Sequence, residues 1–262
     1  MHIRDLQDIG SSLFREISSL RHSSSIKTVK GRGAGGDVTH HIDRLAEEII
    51  ITGLEALKEP LTIISEEAGV VHLRGGGKTV LIDPIDGSRN AVAGIPFYGT
   101  SIAVAEGSTI GDVCLAYVIN LVNGDEFWTE KGRQPFFHGI PMQGQQTDDF
   151  SFIAYEAPSP SRDLPVISPL LAQARKARCL GATALDLSYL ACGAISVFAT
   201  PSPSRSFDFA AGYLLTREAG GMFTDLHGNS LHHVELGLKK SASLLAAGNA
   251  GLHARALCML NP

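Results

Sequence analysis

The sequence predicts a layered α/β protein in which a mainly antiparallel sheet precedes an alternating β/α half. Three observations carry this. Two early stretches, residues 5–20 and 40–58, repeat apolar residues at helical spacing. Short strand-like runs broken by turn signals follow, at 99–106, 111–119 and 125–129. From about residue 165 onward, helical and strand-like segments alternate to the end.

The first helix places Leu6, Ile9, Leu13, Ile17 and Leu20 on one face. Residues 26–39 are rich in glycine and read as a loop. The second helix runs through Ile42, Leu45, Ile49, Leu54 and Leu57, and Pro60 closes it. Residues 61–64 form a short apolar strand leading into Ser65-Glu66-Glu67, and residues 79–82 form another leading into Asp83. Glu106-Gly107 and Asn123-Gly124 mark turns between the three antiparallel strands. Residues 145–165 are polar and proline-rich around Phe152-Ile153-Ala154, which suggests a boundary dividing an N-terminal half, 1–144, from a C-terminal half, 145–262. The second half reads as helix 167–175, strand 177–180, helix 183–192, strand 195–199, helix 208–219, strands near 222–224 and 243–247, and a last helix near 250–259. There is no internal repeat.

With 262 residues, the chain is long enough for one large domain or two packed halves. A formal net charge of −5 and the lack of a basic stripe argue against a nucleic-acid partner. A mildly acidic protein still binds a phosphate if cations lie between them. Cys114, Cys179, Cys192 and Cys258 show no paired spacing and read as reduced core thiols. The charged start and the lack of a long apolar run predict neither signal peptide nor membrane span, so a cytoplasmic location is expected.

The chemistry is concentrated in Asp83-Pro84-Ile85-Asp86-Gly87-Ser88. An apolar strand ends in two carboxylates around a stiff proline, followed by a glycine that permits close backbone approach. Such a turn can aim Asp83 and Asp86 into one space and leave the Gly87 and Ser88 amides free for an anion. Hard divalent cations take carboxylate and carbonyl oxygens, so the Ile85 carbonyl is a further donor. An acidic turn that merely caps the next helix is the plainer reading of this motif alone. Glu66 and Glu67 at a second strand end, and Asp208 at the start of a helix, exceed what capping requires. Asp208 on its own reads as a helix N-cap.

Ser65-Glu66-Glu67-Ala68-Gly69, Asp83 to Asn90, Gly181-Ala182-Thr183-Ala184-Leu185-Asp186-Leu187 and Phe207-Asp208-Phe209-Ala210-Ala211-Gly212 together resemble the signatures of the inositol monophosphatase family. The order and spacing run from about residue 30 to the end. The glycine-rich lead into Asp37-Val38-Thr39 and Asp43 is most similar to the archaeal-type branch, whose members often hydrolyse both inositol phosphate and fructose 1,6-bisphosphate. The resemblance implies a five-layered α-β-α-β-α sandwich, the sugar phosphatase fold, and a homodimer. It implies two to three magnesium ions, with manganese as a substitute. Glu66, Asp83 and the Ile85 carbonyl would hold one ion; Asp83, Asp86 and Asp208 a second; Glu66 would help a weaker third. Asp43 would hydrogen-bond Ser88 to orient the attacking water. Asp86, Gly87, Ser88, Gly181 and Thr183 would meet a small phosphorylated sugar or polyol.

The family usually has threonine where this chain has Ser88, which keeps the hydroxyl. Inositol-preferring relatives often carry an acidic residue shortly before the last metal aspartate; here Pro201-Ser202-Pro203-Ser204-Arg205-Ser206 offers none. Arg205 is then either a solvated surface arginine or a contact for a second phosphate. A phosphoadenosine nucleotide and NADP remain alternative substrates within the family. A rival class comes from Gly31-Arg32-Gly33-Ala34-Gly35-Gly36, which matches G-x-G-x-x-G and would suit an NAD-dependent oxidoreductase. That reading leaves Asp83, Asp86 and Asp208 unexplained. A mobile loop over the active site accounts for the glycines better. A non-catalytic calcium-binding module is the third class, and the chain lacks EF-hand spacing. His40-His41 and His232-His233 lack the partners of a zinc site.

Overall fold

Apolar spacing of 3.6 residues builds the first layer. In the computed structural model, which describes residues 1–20 and 28–261, α1 (Ile3–Leu20) and α2 (His41–Ala56) lie side by side. Leu6, Leu13, Ile42 and Ile50 are fully buried against Val80, Ile82 and Ile102 of the sheet beneath. That sheet has eight strands: β3 (Leu61–Ser65), β4 (Gly69–Leu73), β5 (Lys78–Asp86), β6 (Gly99–Ala105), β7 (Val113–Asn120), β8 (Glu126–Glu130), β9 (Phe136–Phe137) and β10 (Ile140–Pro141). Their order is β10-β9-β8-β7-β6-β5-β3-β4, and every pair is antiparallel except β3 with β5.

Strand alternation commits the sheet's two faces to different layers. Val80 and Ile82 face α1 and α2, whereas Leu81 and Ala103 face a central apolar layer. That layer is filled by α5 (Thr183–Ala191) and α6 (Ser206–Glu218). Nearly the whole circumference of α6 is buried, as a helix between two sheets requires. Gly212 lets the two helices touch: a Cβ there would sit 2.5 Å from Leu187 Cδ1. The second sheet has the order β12-β11-β13-β15-β14, from β11 (Phe152–Tyr155), β12 (Lys176–Arg178), β13 (Val197–Arg205), β14 (Met222–Thr224) and β15 (Lys240–Ala247). Phe198, Leu244 and Ala246 point to the central layer; Val197, Leu245 and Ala247 point outward beneath α4 (Pro160–Leu171) and α7 (Ala250–Leu260). The sequence of layers is α-β-α-β-α, as expected from the family resemblance. Among the described residues no helix is long and apolar enough to cross a membrane.

Several local expectations are corrected. Within 26–39, residues 28–39 are not loop throughout: β1 (Val29–Arg32) and β2 (Val38–His40) pair as an antiparallel hairpin, while residues 26 and 27 lie outside the described residues. The 145–165 stretch holds β11, seated between parallel neighbours β12 and β13. Four residues are too few to display alternation among prolines. The helix read at 167–175 starts earlier, with Pro160 in its first turn, where a missing N–H is harmless. Strands β4, β9 and β10 were not foreseen, and the helix after the acidic motif, α3 (Ser88–Ala93), was foreseen without bounds. The four cysteines are free thiols, but Cys179 and Cys258 are exposed rather than in the core.

Candidate active site

Asp83 and Asp86 are three positions apart, which in a regular strand would send them to opposite faces. The ladder with β6 pairs Asp83 with Ser101 and then Asp86 with Gly99, so β5 carries an extra residue at Pro84-Ile85. This bulge rephases the two carboxylates. Pro84 donates nothing to the ladder, and its carbonyl instead accepts from Thr100 Oγ1 at 2.6 Å. The strand read as ending at Ile82 therefore continues through Asp86. Gly87 follows with φ of 87°, and a Cβ there would lie 3.0 Å from the Gly181 carbonyl oxygen. Only glycine fits this turn into α3.

The other acidic groups arrive from separate elements. Glu66 follows β3, its amide donating to the Ile82 carbonyl at 3.3 Å. Asp208 sits in the first turn of α6 and accepts the Arg205 amide at 2.8 Å. It caps the helix from the third helical position; Arg205 occupies the N-cap position that the sequence suggested for Asp208. Asp43 does the same in α2, accepting the His40 amide at 2.6 Å, while its other oxygen is buried without a partner. Asp86 accepts the amides of Thr183 at 3.0 Å and Ala184 at 2.7 Å, reaching across to the start of α5. Gly181, in the left-handed region, donates its amide to Glu156 at 2.8 Å. The Ser88 hydroxyl donates to the Ile85 carbonyl at 2.9 Å; burial raises the Asp43 carboxyl, and the His40 amide and then Ser88 only partly offset it. The Ile85 oxygen keeps a second lone pair.

These groups lie near enough to one another to shift each other's pKa values. Burial first, and then the charges of Glu66, Asp86 and Asp208, push Asp83 well above the carboxylate range. Burial, then Asp208 and Glu67, raises Glu66 to about 8. Burial lifts Asp86 to about 8 despite its amide donors, and Asp208 to about 6. Asp83 Oδ1 is buried with no hydrogen-bond partner. Among the described residues no three His, Cys, Asp or Glu side chains converge closely enough to close around one ion. The carboxylates instead form a looser group of like charges whose pKa values stay raised.

Arg205 is not a surface arginine. Its side chain is 10% exposed, and Nη1 lies 2.9 Å from Asp37 Oδ2 and 4.0 Å from Glu66 Oε1. Other neighbours carried weaker signals in the sequence. Glu47 accepts Ser65 Oγ at 2.5 Å and the Ala68 amide at 2.8 Å, fixing the segment that carries Glu66. It stands four residues after Asp43 on the same helical face, a spacing that could have revealed it. Glu67 accepts the Thr39 hydroxyl and is raised by burial to about 7. Glu156, raised by burial to about 6, stands alone in a proline-rich stretch and offered no signal. Asp186 is fully buried with neither oxygen partnered.

The inositol monophosphatase family model matches residues 5–260. This chain belongs to that family. A fructose-1,6-bisphosphatase/inositol-1-monophosphatase of Methanothermobacter thermautotrophicus is 35% identical over 253 residues, covering 91% of this chain and 89% of the relative. One of the same description from Archaeoglobus fulgidus is 30% identical, covering 97% and 96%. A solved inositol monophosphatase–fructose 1,6-bisphosphatase superposes with a TM-score of 0.87 at 25% identity, over 99% of both chains. The chain is thus a metal-dependent phosphoric monoester hydrolase. Family membership overturns the oxidoreductase and calcium-module readings, and the fold explains the false dinucleotide match. Gly31 to Gly36 lie in and after an exposed hairpin strand rather than between a buried strand and its crossover helix.

Proposed function

We propose that the chain hydrolyses inositol 1-phosphate and fructose 1,6-bisphosphate with magnesium at the Glu66, Asp83, Asp86 and Asp208 cluster. The observation that carries this is the group of buried carboxylates whose pKa values are raised first by burial and then by mutual repulsion, with Asp83 Oδ1 left unpartnered among them. Such hard oxygen donors suit magnesium, or manganese in its place. Glu66, Asp83 and the Ile85 carbonyl would hold one ion; Asp83, Asp86 and Asp208 a second; and Glu66 part of a third. When bound, such ions activate water and neutralise a leaving alkoxide.

The chain's own residues do the rest. The Gly87 and Ser88 amides, at the turn that only glycine permits, orient the phosphate. Asp43, with one oxygen fixed by the His40 amide, would take a proton passed through the Ser88 hydroxyl, a role supported by the influence of Ser88 on the Asp43 carboxyl. Asp86 ties the phosphate turn to Thr183, so that Gly181 and Thr183 face the substrate. Arg205 supplies a charge-assisted contact for a second phosphate. The segments 1–144 and 145–262 act as halves of one catalytic unit: the first brings Asp43, Glu66, Asp83 and Asp86, the second Arg205 and Asp208. The central apolar layer, with Leu81 and Phe127 beside Phe198 and Phe209, supports that coupling. A cytoplasmic homodimer without nucleic-acid or membrane partners completes the reading, in keeping with the net charge of −5.

The test is phosphate release with magnesium from a panel of inositol 1-phosphate, fructose 1,6-bisphosphate, a phosphoadenosine nucleotide and NADP. Turnover of the first two is expected. Release from the nucleotides alone would overturn the substrate assignment.

A further inference from the structure

Arg205 joins two parts of the site. Its backbone amide is held by Asp208, and its side chain reaches the turn at 33–37. Nη1 pairs with Asp37 at 2.9 Å, and Nη2 donates to the Gly35 carbonyl. That turn lies directly on the strand end that carries the acidic pair. The Gly35 amide donates to the Glu66 carbonyl at 2.7 Å, and the Ala34 amide to that of Glu67 at 3.0 Å. A Cβ on Gly35 would stand 3.2 Å from Glu66 Cγ and 3.6 Å from Arg205 Nε. The two partners of the ion pair are unequal: Arg205 is 10% exposed, while the Asp37 side chain is 56% exposed. The arginine is built in; the carboxylate reaches it from the solvent side.

We infer that Asp37 is a specificity-determining residue: its carboxylate occupies the Nη1 arm of the Arg205 fork as a stand-in for a substrate's second phosphate, which must displace it. The inference rests on the reading that Arg205 faces the distal phosphate of a bisphosphate. A guanidinium presents a fixed fork of donors that matches carboxylate and phosphate alike, so the two anions compete for it. A monophosphate brings no such group and leaves the Asp37–Arg205 pair closed. A bisphosphate breaks the pair, removes one of the two ties between Arg205 and the turn, and loosens residues 33–37. Asp37 thereby taxes the bisphosphate and spares the monophosphate.

The test uses the full-length protein with magnesium, as wild type and as Asp37→Asn, which keeps the side-chain volume and removes the charge. KM is measured for fructose 1,6-bisphosphate and inositol 1-phosphate, and hydrogen exchange is followed at the amides of 33–37. In the variant, KM for the bisphosphate should fall about three- to fivefold, the scale of one exposed ion pair, with that for the monophosphate within about twofold. Exchange at 33–37 should be faster in substrate-free D37N than in wild type, and the bisphosphate should accelerate it in wild type alone. An unchanged KM, or an equal fall for both substrates, overturns the inference. So does unchanged exchange in substrate-free D37N, since no latch would then exist. Faster exchange in D37N with no bisphosphate hydrolysis by wild type would instead overturn the substrate reading, and the specificity role of Asp37 with it.

Discussion

Replacing Asp83 by Asn isolates what the buried carboxylate cluster costs the fold. Asp83 is 4% exposed, one of its oxygens has no partner, and Glu66, Asp86 and Asp208 all raise its pKa. A carboxyl with a raised folded pKa keeps its proton in the fold after the unfolded chain has released it. The associated stability is fully present below the unfolded value of 3.8 and is lost as pH rises toward the folded value. Glu66 and Asp86, both at about 8, extend that window to about pH 8. An uncompensated buried charge costs on the order of 3–5 kcal/mol, and retained protons relieve part of that in the wild type. Neutralising Asp83 should therefore stabilise the metal-free protein by about 1–3 kcal/mol at pH 8. For a chain of this size each kcal/mol moves Tm by about 2–4 °C. Thermal melts in EDTA should show Asp83→Asn melting roughly 2–12 °C above wild type at pH 8 and much closer to it at pH 5, below the values of about 8 at which its neighbours Glu66 and Asp86 release their protons. Magnesium should raise the wild-type Tm more than that of the variant, and turnover should fall more than tenfold. A variant that melts lower than wild type at pH 8 in EDTA, or gains equally at both pH values, would refute the charge argument and leave packing as the explanation.

Glu47→Ala removes the acceptor for Ser65 Oγ and the Ala68 amide, and a stranded buried donor costs about 1–3 kcal/mol. Glu47→Gln keeps an acceptor oxygen, so its melting temperature should stay closer to wild type; equal losses in the two would place the effect elsewhere. Ser88→Ala and Asp43→Asn should each lower kcat more than they raise KM, and the double variant should fall little below the worse single. A double variant equal to the product of the singles would separate the two residues. Excess calcium should inhibit turnover measured with magnesium, because its longer, looser coordination spoils in-line geometry. Full turnover with calcium alone would contradict a geometry-sensitive site.

Elements with a long periodic signal were legible in the sequence. The face of Leu6, Leu13 and Ile17 could only belong to a helix, and α1 buries all three. The Asp83–Ser88 motif was half readable for a different reason: proline, glycine and two carboxylates at fixed offsets mark a break in regular pairing, but the structure makes it a bulge through Asp86, with the turn only at Gly87. What failed was short or dependent on distant partners. β11 has only four residues, and its neighbours β12 and β13 lie far along the chain. Glu156 meets the Gly181 amide 25 residues away, and local sequence carries no trace of such a pairing. Arg205 was half legible. Its place before Asp208 suggested the site, but its burial depends on a hairpin turn 170 residues earlier.

Asp86 shows why this fold can carry so much unpaired acid. Its oxygens take amides from the first turn of α5, where a helix end favours negative charge. Those amides lower its pKa, yet burial together with Asp208 and Glu156 still holds it at about 8. Two demands therefore meet on one carboxylate: the helix start is best served by the anion, and the cluster by the neutral acid. A divalent cation among these groups would satisfy both, because it permits ionisation without removing the amide donors. On this reasoning the amides of Thr183 and Ala184 belong to the same electrostatic unit as Asp83 and Asp86, although they come from the opposite half of the chain. Ionisation of the cluster should then tighten the junction between β5 and α5.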